Sequence, residues 1–170
     1  MRSFDEIDPI SIDNNSSVAG SLSDNRSPTT TYYVLTPNDY AIIVVCDLFT
    51  NKKTGESKWL THQLEFPRSG INWIVNTIEK KFLKLSHEGG LPAAVRHYEE
   101  IVDGEELGIS RAMGLGTDDN RESGYTIYTH SRKSEWDTSK KMSFTDSFLF
   151  EHGFFDLLKD LAAKIEKGII

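Results

Sequence analysis

Apolar positions along the chain change their period several times, and each change marks an element. Thr30 to Thr36 reads as a strand, Pro37-Asn38-Asp39 supplies turn chemistry, and Tyr40 to Phe49 reads as a second strand. Within it, Ala41-Ile42-Ile43-Val44-Val45-Cys46 is apolar without alternation, which predicts a strand covered on both faces. Leu60, His62, Leu64 and Phe66 alternate with Thr61, Gln63 and Glu65, as a half-buried strand requires. After Pro67 the period lengthens. Ile71, Ile74, Val75, Ile78, Phe82 and Leu85 share one helical stripe behind a candidate N-cap at Ser69.

Past Gly89-Gly90, the residues Ala94, Val95, Tyr98, Ile101 and Val102 fit a second helix over Leu91 to Val102, entered near Pro92 and stopped at Asp103-Gly104. Strands are expected over Leu107 to Leu115, around Tyr125 to Tyr128, and from Met142 through Phe144 and Phe148 to Phe150. A last helix runs from about Gly153 to Lys167, with Phe154, Leu157, Leu158, Leu161 and Ile165 inward and Gly168 as its terminator. Residues 1–28 hold seven Ser, five Asp or Glu and few apolar side chains, so a flexible acidic tail is expected there. Ile7, Ile10 and Ile12 are its only candidates for docking.

The fold expected is α+β: antiparallel sheets with helices on one face, in one domain over 29–170. Two β-β-β-α pseudo-repeats, about 29–86 and 107–170, are joined by a helical linker over 87–106. Gly70 matches Gly153 and Ile74 matches Leu157, while Leu64 matches Phe148 and Phe66 matches Phe150 after a slip of one residue.

Composition narrows the class. With 170 residues, 38% hydrophobic and 26% charged, the chain can bury a continuous core. No run approaches the roughly 18 apolar residues of a membrane helix, and Met1 to Glu6 lacks an export-type apolar region, so a cytoplasmic protein without a membrane span is expected. The single Cys46 permits neither an internal disulfide nor a multi-thiolate zinc site. No G-x-S-x-G elbow, P-loop or H-E-x-x-H occurs, and Gly114 to Asp119 stops short of a dinucleotide fingerprint. Asp118, Asp119 and Glu122 lack the bidentate Glu of an EF-hand, since Thr129 stands in its place. Among the histidines, His62 reads as a core imidazole, and His87, His97, His130 and His152 show no metal-ligand spacing. These observations predict a non-enzymatic protein with neither metal nor cofactor.

Charge supplies the remaining signal. The formal net charge of −7 repels nucleic acid as a whole. Yet residues 40–84 hold seven Lys or Arg against four acidic residues, and 88–106 hold one against six. Lys52, Lys53, Lys58 and Trp59 surround one hairpin; Arg132, Lys133, Trp136, Lys140 and Lys141 surround the corresponding one. Cations for phosphates beside rings for bases suit single-stranded DNA or RNA. This layout distantly resembles, in topology alone, the two-fold sheet-plus-helix arrangement of PUR and whirly-type single-strand binders. The resemblance implies a sheet-based nucleic-acid surface and carries no residue over, because the glycine- and arginine-rich positions of PUR repeats are not evident. The alternative expectation is a protein-interaction module or homodimer. Its anchor would be Trp73, which lies about 200° around the helix from Ile71 among Asn72, Asn76 and Lys80.

Overall fold

The computed structural model describes residues 1–170 as eight strands in two antiparallel four-stranded sheets with two α-helices, an α+β fold. The first sheet contains β1 (Val18–Ser23), β2 (Thr30–Leu35), β3 (Tyr40–Thr50) and β4 (Ser57–Pro67) in chain order. Helix α1 (Gly70–Thr77) follows and runs directly into a π-helical turn, Ile78–Phe82. The second sheet repeats the plan with β5 (His97–Val102), β6 (Glu105–Thr117), β7 (Asn120–Lys133) and β8 (Ser139–Thr145). A π-helical turn, Ser147–Glu151, then leads to α2 (Phe154–Glu166). Each half is therefore a four-stranded meander followed by a helix, and the likeness of the halves is consistent with internal duplication.

The units carry four strands rather than the three read from sequence, and the added strand is the first of each. β1 lies in the segment expected as a tail, paired with β2 from Val18↔Leu35 to Ser23↔Thr31. β5 lies where a helix and a helical linker were expected, paired with β6 from His97↔Ser110 to Val102↔Glu105. Ala94 takes a left-handed φ of 71°, which no α-helix accommodates. Six ladder pairs along β6 then outweigh an apolar spacing that also fits a helix.

The second strand-to-helix junction also differs. β8 ends at Thr145, so Phe148 sits in the π-helical turn and not in a strand. The equivalent buried pairs are Leu64 and Phe66 on β4 with Met142 and Phe144 on β8. The expected terminator of the last helix is in place, with Gly168 at φ 68° just past α2, whereas Ser69 caps nothing because its hydroxyl donates to Asp103.

The helices cross between units. Helix α1 and its π-helical extension reach the second sheet: Trp73 stacks on Tyr98 of β5, and Phe82 meets Tyr125 of β7 edge-on. Gly70 lies so close to Phe66 and Leu107 that a Cβ there would fall 2.5 Å from the Phe66 ring. Helix α2 reaches the first sheet, with Phe154 against Tyr32 of β2 and Leu157 pressed on Gly20 of β1. One cluster of 22 buried residues joins both sheets and both helices, so the two units share a core and each completes the other.

The opposite face of the first sheet is covered by the N-terminal segment. Ile12, 1% exposed, packs with Leu35, Ile42, Val44 and Cys46, and Phe4, Ile7 and Val18 flank them. The Gln63 amide clamps this strap, accepting from Ile7 N at 2.8 Å and donating to Asp5 O at 3.1 Å. The unalternating run Ala41 to Cys46 is thereby explained: one face meets the shared core and the other meets the strap.

Candidate nucleic-acid interface

The β3–β4 hairpin extends beyond both core and strap. Its turn is set by Asn51, whose side chain accepts from Lys53 N at 2.9 Å, and by Gly55 at φ 74°. Lys52, Lys53 and Lys58 are exposed at its end and make no ion pair. Phe49, Trp59 and Leu60 are each between 40% and 45% exposed, because nothing in the chain reaches this far. Strand alternation puts Trp59 on the face of β4 shared by Thr61 and Gln63, the strap side.

The β7–β8 hairpin bends towards the same place. Its turn is closed by Ser134 Oγ, which accepts from Trp136 N at 3.2 Å, and by Asp137 at φ 55°. Trp136, 80% exposed, lines a cleft with Thr61, Gln63, Glu6 and Lys140. The cleft is held by two contacts between the edge strands: His62 Nε2 with Lys141 O at 2.6 Å, and Lys140 Nζ with Glu65 at 2.8 and 2.9 Å. Trp136 therefore lies against β4, whose strap-side face also carries Trp59.

Two of the expected phosphate ligands are engaged elsewhere. Arg132 is buried and forms a two-point pair with Glu105, at 2.9 Å from Nε and 2.7 Å from Nη2. It also donates to Arg2 O at 2.8 Å and lies over the rings of Phe4 and Tyr40, so it anchors the strap. Lys140 neutralises the buried Glu65, which also accepts from Gln63. Both changes have one cause: an inward-facing carboxylate needs a cation more than the surface does. Lys133 and Lys141 remain exposed and unpaired. Trp73 is half-buried, and its indole N–H donates to Glu100 at 2.8 Å. Two of the three acidic loop residues are engaged as well, Asp118 with Arg121 and Glu122 with Arg26 and Ser147.

The outward face of the second sheet is polar. Glu99, Glu106, Tyr128 and His130 come together on it from β5, β6 and β7, an assembly that their spacing in sequence conceals. Tyr128 lies across Gly108, where a Cβ would fall 2.2 Å from its ring, and its hydroxyl donates to Glu99 at 2.7 Å. That bond and one from His130 hold the Glu99 carboxyl below the usual carboxylate range. Burial, followed by the contact with Glu99, pushes the Tyr128 phenol up. His152 instead meets the Ser23 carbonyl, and His62 is an edge residue rather than a core one. No helix is long and apolar enough to cross a membrane. Comparison with family models, curated proteins and solved structures gives no match for this chain.

Proposed function

We propose that this protein is a non-enzymatic binder of single-stranded nucleic acid, held along the edge of β4 between its two hairpins. The observation that carries this reading is that Trp136 lines a cleft against Thr61 and Gln63 of β4, residues that share their strand face with Trp59. Exposed, unpaired Lys52, Lys53, Lys58, Lys133 and Lys141 stand on the same two hairpins. Rings stacked on bases contribute roughly 1–3 kcal/mol each, and the lysines follow the phosphates. Lys141 pairs with Tyr128 and so stands on the outward face of the second sheet with Glu99 and Glu106, and Glu6 and Glu135 line the cleft, so the lysines must outweigh carboxylates close to the strand and binding is expected at low salt.

Titrating a labelled oligothymidine at low salt tests it by fluorescence anisotropy. Five phosphate contacts give a log–log salt slope of about −3.5. Trp136→Ala, at a site too exposed to disturb folding, weakens binding by roughly 5- to 150-fold. Lys52→Glu with Lys53→Glu lowers both affinity and slope. Absence of binding at high micromolar protein, or binding indifferent to both changes, overturns the reading. The exposed Phe49 and Leu60 beside the free edge of β4 favour a second reading, self-association or a protein partner added along that edge. Light scattering of wild type and Leu60→Lys decides it: a monomer in both cases removes the homodimer.

A further inference from the structure

We infer that Glu99, Glu106 and His130 form a binding site for one divalent transition-metal cation on the open face of the second sheet. The three side chains rise from neighbouring strands β5, β6 and β7. Their ligand atoms all lie within 4.8 Å of one another, so small rotations close them around an ion. The platform is a hydrogen-bonded sheet, so no loop has to be ordered when the ion arrives. His130 is already aimed: Ser139 Oγ holds its Nδ1 at 2.8 Å, and Nε2 points at Glu99 Oε1 at 3.1 Å. An outer nitrogen pinned by a hydroxyl, with the inner one turned towards the carboxylates and bonded now to Glu99, is the usual support of a metal-bound imidazole once the ion takes the place of that bond. Glu99 is fixed in turn by the Tyr128 hydroxyl, which Gly108 allows to reach it.

The charges in the cluster do not balance. Glu106 has no hydrogen-bond or ion-pair partner for its carboxylate, although it faces that of Glu99 across the strand diagonal. Like charges set together on a sheet destabilise it, and a doubly charged cation reverses the sign of that interaction. One imidazole nitrogen with two carboxylate oxygens suits Zn²⁺ or Mn²⁺, whereas Ca²⁺ prefers oxygen alone. In the bound form Nε2 coordinates the ion, and the remaining imidazole proton sits on Nδ1, donated to Ser139.

Isothermal titration of the full chain with Zn²⁺, together with visible absorption after Co²⁺ addition, tests the site. One ion per chain is expected, with ligand-field bands in the cobalt form. Glu106→Gln removes the charge of a carboxylate with no partner in the fold, so it leaves folding intact and weakens binding on the order of tenfold or more. His130→Asn removes the nitrogen donor and with it the site's heat. Zn²⁺ raises the melting temperature of the wild type by mass action and leaves Glu106→Gln less affected. No binding, or equal binding by the wild type and both variants, overturns the inference.

Discussion

Replacing Ile12 by Ala removes the side chain that seats the N-terminal strap. Ile12 is 1% exposed, and its neighbours Leu35, Ile42, Val44 and Cys46 are no more than 2% exposed. Three buried carbons at ~0.8 kcal/mol each give about 2.4 kcal/mol for transfer alone. A cavity adds to this, but a strap one layer thick relaxes into part of the space, so a net loss of about 2–3 kcal/mol is expected. The neighbouring Ile10, 78% exposed, serves as control, and Ile10→Ala should change stability by under ~0.5 kcal/mol. Urea denaturation gives the two losses. Cys46 gives a local reading, because its thiol lies under the strap. If the strap opens ahead of global unfolding, a loss of about 2 kcal/mol speeds native-state thiol labelling by about 30-fold. Equal effects of Ile12→Ala and Ile10→Ala, or unchanged labelling, would refute the docked strap and return residues 1–17 to the status of a tail.

Four further outcomes follow from the buried and half-buried polar groups. Arg132→Met strands Glu105, whose side chain is 5% exposed, and should cost about 3–5 kcal/mol in urea unfolding; a loss below about 1 kcal/mol would mean the pair is hydrated. Lys140→Met should lower stability by about 1–3 kcal/mol and leave the salt slope of oligonucleotide binding unchanged, whereas a flatter slope would restore Lys140 as a phosphate ligand. Burial, with Asp13 nearby, pushes the Cys46 thiol from 9.0 up to about 11. The native state then holds a proton that the unfolded chain releases, so stability falls as pH rises across that window; thermal melts of Cys46→Ala should lack this part of the decline. Trp73→Phe forfeits the bond to Glu100, worth about 1 kcal/mol, and should leave the molecular mass in solution unchanged; a change in mass would make Trp73 an interface residue after all.

The two strands that local pattern missed have the same character. β1 and β5 are edge strands of their sheets, and neither contains a buried residue. Their inner faces are only partly covered, so selection for alternation is weak, and Val18–Ser23 passes for a tail and His97–Val102 for a helix. Helix α1 was legible because Ile71, Ile74, Val75 and Ile78 all face the shared core; Leu85, past the π-helical turn, is exposed. The hairpin lysines were legible as cations. Which of them stay free was not, because Arg132 and Lys140 are claimed by Glu105 and Glu65, residues 27 and 75 positions away. Glu99, Glu106 and His130 were hidden for the same reason: only the meander of β5, β6 and β7 brings them together.

By itself the amino-acid order determined the covered strands, the amphipathic helices and the terminating glycine, since burial imposes a local period that side chains must obey. The tertiary structure alone decided that the helices cross between sheets, that residues 4–12 roof one sheet, and which charges meet. Those outcomes depend on contacts between distant segments, whose free energy is set by desolvation and shape at the meeting point and leaves no periodic trace along the chain.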